Sequence, residues 1–548
     1  MFEINDIDIL GRIGRLSLNN KEMITPNLFP VVHPSKNVIS TDDLRKIGAQ
    51  CVFTNAYIIY KNESLREKVL KNGIHKHLNF PDGLIATDSG AFQQYMYNTN
   101  KIEINAEDIE KFQEDIGSDF PVILDLPVQL DDDYDIAKEK VLSTIIRAKE
   151  NIKRRSNENC SWFAPIHGAR HQDLLKLSAT EMSGLDFGVY AIGGLVKAFL
   201  DYRFDITLKI LLTVKKNIIP NKPIHMFGLG LPQFFSLAVA CGCDLMDSAA
   251  YVLFAKENRY FTLSTGTEKL EDLVEFPCHC PICCDNDPKD LLKLNDELRI
   301  QLLAKHNLYL SFSELRTIRQ AIREGKLWEL VNLRMRSHPA LVNTASIIKK
   351  NRTYFEKHEK VYKSKGRLYT SAFDLARPLV KRYSDKIQNF YRTPKRVEFL
   401  IILPELDTRG KNSPNITDWM GSINNNALIS RHLLHVTFFS LFYGIIPLEL
   451  MDIYPLSQHE SLIPTEDQVV FSTTAIQKGF SFIESNLHYY KKCGILIPEE
   501  YINQFGENVM FNSDNPIYEL FSILKSKYND KISKFKSLDN LIQFFVNS

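Results

Sequence analysis

Through residues 1–260, short apolar runs alternate with longer stretches whose apolar residues recur every three to four positions. Eight runs read as buried strands: 27–32, 50–54, 84–87, 120–124, 162–166, 187–192, 223–227 and 244–246. Between them, 41–47, 64–71, 106–116, 134–154, 171–182, 201–218 and 232–241 carry helical spacing. Eight strands alternating with helices predict an α/β fold of the (β/α)8 barrel type. The competing arrangement is an open doubly wound sheet, which has fewer strands and often a glycine-rich phosphate turn after the first. No such turn follows 27–32; Gly11 and Gly14 precede it and are expected in a hairpin turn.

Helical spacing returns over 290–304 and 313–336. The composition then changes: residues 341–400 hold 15 Lys and Arg against 5 Asp and Glu, interleaved with Tyr354, Phe355, Tyr362, Tyr369, Tyr383, Phe390 and Tyr391. Such a mixture suits phosphate contacts with base or ribose stacking. A solvated linker with one helical face accounts for it equally well. From Val397 an apolar run opens a second α/β unit, and 507–548 reads as helical in parts. The expected organisation is a catalytic barrel over 1–275 and a zinc-binding, helical subdomain completing it over 276–340. A basic linker with RNA contacts follows over 341–396, then a smaller α/β accessory domain with a helical tail over 397–548.

Bulk composition narrows the function classes only modestly. Hydrophobic residues make up 44% and charged residues 24%, as in ordinary globular proteins, and the net charge of +1 signals no acidic partner globally. The polar, acidic start predicts no signal peptide. The apolar stretch 432–450 contains two histidines, a threonine, a serine and a proline, so a buried strand or helix is expected there rather than a membrane span. Four of the nine cysteines fall within 278–284, a clustering that reads as metal binding in a reducing compartment and hence a cytoplasmic location.

The cluster is Cys278-His279-Cys280-Pro281-Ile282-Cys283, followed by Cys284 and, further on, His306. Three thiolates and one imidazole make a Cys3His tetrahedron, a ligand set of structural zinc. Four protein ligands leave no open position for water, so the metal reads as a staple; a catalytic zinc requires that one of the four is not a ligand. Cys284 is the spare.

Chemistry is then left to the strand ends. His33, Asn55, Asp88, Asp125, His167, Gly193-Gly194, Gly228 and Asp247 follow the predicted strands, and in a barrel all lie on the C-terminal face. One such residue alone is more often a cap or turn former, but three aspartates at one mouth point to a reaction. A carboxylate attacks the anomeric carbon of a sugar while a second carboxyl handles the proton of the leaving group. Asp88 and Asp247 suit that division of labour. Asp125 suits accepting hydrogen bonds from a purine-like edge, and Phe92 suits stacking on such a ring. Gly193-Gly194 either offers backbone amides at close range or makes a tight turn.

These stretches together resemble the archaeal tRNA-guanine transglycosylases. The resemblance rests on Gly11-Arg12-Ile13-Gly14-Arg15-Leu16, the segment Thr25 to Pro34, Asp88-Ser89-Gly90-Ala91-Phe92-Gln93, Ala191-Ile192-Gly193-Gly194, Phe227-Gly228-Leu229-Gly230, Asp247-Ser248-Ala249-Ala250-Tyr251 through Arg259-Tyr260, and the cysteine cluster with His306. It implies a barrel with a zinc subdomain. It also implies exchange of guanine at position 15 of the tRNA D-arm for the free base 7-cyano-7-deazaguanine (preQ0), through a covalent RNA–enzyme intermediate. By the same resemblance Asp247 is the nucleophile at ribose C1′ and Asp88 the general acid/base, although Asp88 is the family's alternative nucleophile. Asp125 and the backbone of Gly194, Leu195 and Val196 read the base, Phe92 stacks on it, and the protein is a homodimer acting on tRNA.

Two departures stand out. The family usually has glutamine before glycine where this chain has His167-Gly168, which changes the hydrogen-bonding options toward the base. Long members end in a small β-rich PUA domain, which the tail here does not resemble; tRNA is then expected to be held by the basic region, a dimer mate or a separate PUA-domain protein. The alternatives are a non-catalytic or archaeosine-synthase-like paralogue, and a zinc-stapled module that only binds tRNA. Added carboxylates at the barrel mouth argue against mere binding of a polyanion.

Overall fold

The computed structural model describes residues 1–91, 105–405, 412–425, 433–461, 469–502, 508–510 and 515–548, in two compact units, Met1–Ile347 and Ile348–Ser548. The first unit begins with an antiparallel sheet of β1 (Phe2–Asp8), β2 (Gly11–Leu18) and β3 (Lys21–Thr25). The turn between β1 and β2 is at Ile9 and Leu10, so Gly11 and Gly14 lie within a strand and not in the expected turn. Glycine is required there by crowding: a Cβ on Gly14 would stand 2.4 Å from the Phe2 ring, and one on Gly11 2.6 Å from Leu327.

The eight apolar runs all form strands. They are β4 (Asn27–Pro30), β5 (Cys51–Asn55), β6 (Leu84–Asp88), β7 (Phe120–Pro121), β8 (Phe163–Ile166), β9 (Val189–Ile192), β10 (Ile224–Met226) and β11 (Leu245–Ser248). β5, β6 and β11 run one or two residues further toward their carboxyl ends than expected, and the others are trimmed. One parallel sheet runs β4-β11-β10-β9-β8 and another β5-β6-β7; parallel bridges join Val31 to Phe53 and Val122 to Phe163. Alternate residues of these strands share one apolar interior that includes Phe29, Phe53, Ala86, Phe120, Phe163 and Leu245. The strands are short and almost wholly buried, as expected when helices cover parallel strands.

A buried ion pair ties the N-terminal sheet to this core. Arg12 of β2 donates to both carboxylate oxygens of Asp244, through Nε at 3.0 Å and through Nη2, and to the carbonyls of Pro220 and Lys222. Asp244 also accepts the amide of Ile224 at 2.8 Å. Truncating one partner strands the other charge in the core. Asp244→Ala is therefore expected to destabilise the protein by about 3–5 kcal/mol, read as a lower denaturant midpoint.

After β11 come the hairpin β12 (Arg259–Thr262) and β13 (Gly266–Lys269) and a helix of 29 residues, Asp296–Glu324. This helix runs through the gap between the two helical segments expected from spacing. Lys305-His306-Asn307 breaks the apolar pattern, yet His306 and Asn307 are buried because β12 satisfies them: Asn307 accepts the Phe261 amide at 2.9 Å and donates to the carbonyls of Tyr251 and Arg259. Gly325, at φ 67°, ends the helix in the left-handed conformation.

In the second unit, β15 (Phe399–Pro404) is central in a mixed sheet, parallel to β16 (Leu434–Ser440) on one side and to β19 (Lys492–Leu496) on the other. β17 (Gly444–Pro447) and β22 (Ile532–Phe535) form its edges. Two smaller pairs complete the strands: β14 (Arg367–Tyr369) with β18 (His459–Ser461), and β20 (Glu500–Ile502) with β21 (Asn508–Met510). The basic stretch is thus partly core. Lys363, Arg367, Arg377 and Arg382 are buried, and Arg382 is spent on Glu356 Oε1 at 2.6 Å and the carbonyls of Glu356, Glu359 and Lys360. These cations are not available to phosphate; Lys349, Lys350, Lys357 and Lys360 are exposed.

Candidate active site

The carboxyl ends of the parallel strands open on a cavity of about 620 Å³, within the size of small-ligand sites. Asp88, Asp125, His167, Gly193, Gly194, Val196 and Asp247 all line it, together with Asn55 and Gly228. Leu195 is fully buried, and Phe92 lies outside the described residues.

Asp88 closes β6 beside Asn55, the last residue of β5 in register with it. The Asn55 amide oxygen caps the next helix by accepting the Ile58 amide at 2.8 Å, so its NH2 group is turned to donate to Asp88 Oδ2 at 2.9 Å. The Gly90 amide donates to Asp88 Oδ1 at 3.2 Å.

Asp247 sits in β11, held by the neighbouring strand. His225 Nε2 is 2.8 Å from Asp247 Oδ1, and the Gly228 amide donates to the same oxygen at 3.1 Å. Both hydrogen bonds of Asp247 among the described residues fall on Oδ1, which leaves Oδ2 toward the cavity chemistry. His225 is fully buried among the rings of Phe29, Phe53, Phe163 and Phe227, with centroids 5.0 to 6.1 Å away. Its Nδ1 has no partner among the described residues, so Nε2 carries the hydrogen and donates to Asp247.

Asp125 follows β7 and pairs with His167, the residue after β8: Nε2 lies 2.6 Å from Asp125 Oδ2, and His167 Nδ1 again lacks a partner among the described residues. Behind them Arg147 donates to the Leu124 carbonyl at 2.9 Å; burial pulls its guanidinium below the usual value, against the opposing pull of Asp125. Gly193 is glycine because the His167 ring occupies the space a Cβ would need, at 2.3 Å. Gly194 combines φ 75° with the Val128 carbonyl 2.1 Å from any Cβ. The pair is therefore both a tight turn and a stretch of backbone open to the cavity.

Sequence patterns alone did not single out His225 as a partner of Asp247. It sits inside the apolar run 223–227, where a lone histidine carries no spacing signal; only the register of β10 against β11 brings it to Asp247.

The second centre is the Cys3His cluster, positioned to bind a metal ion. The ligand atoms of Cys278, Cys280, Cys283 and His306 all lie within 4.8 Å of one another. Cys280 and Cys283 sulfurs are 3.6 Å apart, and His306 Nδ1 is 3.5 and 3.3 Å from them, close to the roughly 3.8 Å edge of a tetrahedral zinc thiolate. His306 Nε2 donates to the Phe261 carbonyl at 3.1 Å, which turns a bare Nδ1 toward the sulfurs. Tyr260 stacks on His306 at 3.7 Å, and its hydroxyl is 3.4 Å from Cys283 Sγ. Among the thiols themselves, hydrogen bonds led by Cys280 lower Cys278, while Cys278 raises both Cys280 and Cys283. A divalent cation supplies the charge that lets all three ionise. Cys284 is exposed and stands outside the set. Among the described residues no helix is long and apolar enough to cross a membrane.

Comparison with known proteins gives a family model, queuine tRNA-ribosyltransferase, that matches residues 8–340. The chain is 36% identical over 522 residues to a tRNA-guanine(15) transglycosylase of Methanocaldococcus jannaschii, covering 94% of this chain and 76% of that protein. It is 36% identical over 540 residues to one of Methanococcus maripaludis, covering 97% and 79%. It is 39% identical over 466 residues to one of Methanobrevibacter smithii, covering 84% and 69%.

Proposed function

The chain belongs to the queuine tRNA-ribosyltransferase family, and on that premise we propose that it replaces guanine 15 of tRNA with preQ0 by way of a covalent intermediate on Asp247. The observation that carries this reading is the pinning of Asp247, among the described residues, through Oδ1 alone, by His225 and the Gly228 amide. A carboxylate so held has its second oxygen without a hydrogen bond among the described residues, at a residue that lines the cavity. Asp247 Oδ2 attacks ribose C1′ as the bond from C1′ to the guanine nitrogen breaks. Asp88 hands the departing base its proton and takes one from the incoming base, whose ring nitrogen then displaces Asp247. The target nucleotide has to leave its stack to reach the cavity. Asp125, with Gly194, Leu195, Val196 and the His167 side chain, reads the base edge, and Phe92 stacks on it.

The scaffold of this reading is a closed (β/α)8 barrel. It is supported by the parallel bridges Val31 to Phe53 and Val122 to Phe163, which link the two parallel sheets edge to edge on both sides. The metal is zinc, held by Cys278, Cys280, Cys283 and His306; when bound it supplies structural cross-linking and no reaction step. Exposed Lys349, Lys350, Lys357 and Lys360 supply cations for tRNA phosphates, and the homodimer rests on the family alone.

Base exchange is tested by incubating the metal-loaded protein with tRNA and radiolabelled guanine. Label entering the tRNA supports the reading, and tRNA binding without incorporation contradicts it. His225→Phe keeps an aromatic ring within the phenylalanine cage and removes the donor to Asp247. A hydrogen bond to a charged group is worth about 1.5–3 kcal/mol, so kcat is expected to fall by about 10- to 100-fold with the melting temperature little changed.

A further inference from the structure

Asp125 and His167 both stand at the wall of the cavity, and their geometry gives them different tasks. β8 and β9 are in register at Ile166 and Ile192, so the next residues, His167 and Gly193, stand side by side. Gly193 has no side chain, and the Cε1 edge of the imidazole fills that space. The His167 amide donates to Ser178 Oγ at 3.1 Å, which anchors the backbone to the helix Gln172–Ser183. The ring is therefore packed between Gly193 and Asp125, and its side chain is 1% exposed against 9% for Asp125. Of the two, the carboxylate is the group left open to a ligand.

Donor and acceptor chemistry then assigns the hydrogens. An ionised carboxylate only accepts, so the 2.6 Å contact between His167 Nε2 and Asp125 Oδ2 places the hydrogen on Nε2. Nδ1 is sealed from solvent without a partner among the described residues, so it offers nothing to a molecule in the cavity. His167 thus spends its N–H on Asp125. Asp125 Oδ1 has no hydrogen bond among the described residues, and Asp125 lines the cavity.

We propose that His167 is a positioning residue: it makes no hydrogen bond to the base itself, and its part in base reading is to fix the Asp125 carboxylate so that Oδ1 accepts from N–H groups on the base edge. The inference rests on the base-exchange reading for the identity of the ligand as a guanine-type base. Its consequence is a change of sign. With an ionised carboxylate at position 125, the histidine aims an acceptor at the base. With an amide there, the same histidine N–H holds the amide oxygen and turns the NH2 group toward the base, donor against donor.

The test is equilibrium dialysis of the full, metal-loaded chain against radiolabelled guanine without tRNA, over a double-mutant cycle. His167→Leu is expected to weaken guanine binding by about tenfold, and His167→Gln, whose amide nitrogen reaches where Nε2 stands, to stay within about threefold of wild type. In the Asp125→Asn background, removing His167 frees the amide to turn its oxygen to the base, so the double variant binds guanine as well as Asp125→Asn alone, or better. A histidine that donates to the base directly gives the opposite result, a second loss of about tenfold that adds over the cycle. His167→Ala is run in parallel, so that leucine crowding Gly193 does not decide the outcome, and thermal melting checks that each variant is folded. The proposal is overturned by additive losses, by wild-type affinity in both His167→Leu and His167→Ala, by a tenfold loss in His167→Gln, or by a wild-type protein that binds no guanine. The base-exchange reading fails separately, if guanine binds with the expected pattern and no label enters tRNA.

Discussion

Asp247→Ala lowers kcat/KM for base exchange by about 10⁴-fold or more, the scale seen when a covalent nucleophile is deleted, while tRNA affinity stays near wild type. The two effects separate because the carboxylate contributes to bond making and, being negative, adds nothing to phosphate binding. Folding is expected to survive: Asp247 is held by one histidine and one amide, and His225 keeps its cage of phenylalanine rings. Filter binding of tRNA, run beside guanine incorporation, checks both halves. Asp88→Asn is predicted to behave differently. It keeps the side-chain shape and one of the two accepted hydrogen bonds, from Asn55 or Gly90, but cannot shuttle a proton, so the first chemical step slows without removal of the nucleophile.

Removing the metal is expected to cost stability first and activity only as a consequence. The four ligands join residues 278–283, which run into the short helix Pro281–Asp285, to the middle of the helix Asp296–Glu324, and the same helix anchors β12 through Asn307. Zinc binding in small Cys/His sites contributes about 10–16 kcal/mol, so even a fraction of that lost lowers the melting temperature by several degrees. Cys283→Ser, or chelation of the wild type, is expected to give a lower first transition in calorimetry, with residual exchange activity below that transition. Loss of activity with no change in melting would place the metal in the reaction instead.

Much of the first unit was legible because its strands are short, apolar and bounded by helices of strong spacing: Thr41–Ile47 and Tyr134–Arg154 begin and end where the pattern predicts. The convergence of Asp88, Asp125, His167 and Asp247 on one cavity was legible for the same reason, since residues at the carboxyl ends of parallel strands share a face. What the pattern hid was pairing. His225 looks like one more residue of an apolar run until β10 is set against β11. Arg12 and Asp244 are 232 positions apart and meet only in the fold. Gly11 and Gly14 read as turn formers because glycine usually is, whereas close packing against Leu327 and Phe2 is invisible locally. The basic stretch misled in the opposite direction: composition cannot tell an arginine facing solvent from one, like Arg382, that holds three backbone carbonyls.

The central claim is that the Asp247 carboxylate forms the bond to ribose, with Asp88 managing protons. It is tested by incubating protein and tRNA without an incoming base, denaturing, and mapping the RNA-linked peptide by mass spectrometry. The account predicts a denaturant-resistant protein–RNA adduct attached at Asp247, absent in Asp247→Asn. An adduct at Asp88, or active base exchange with Asp247 replaced, would contradict it.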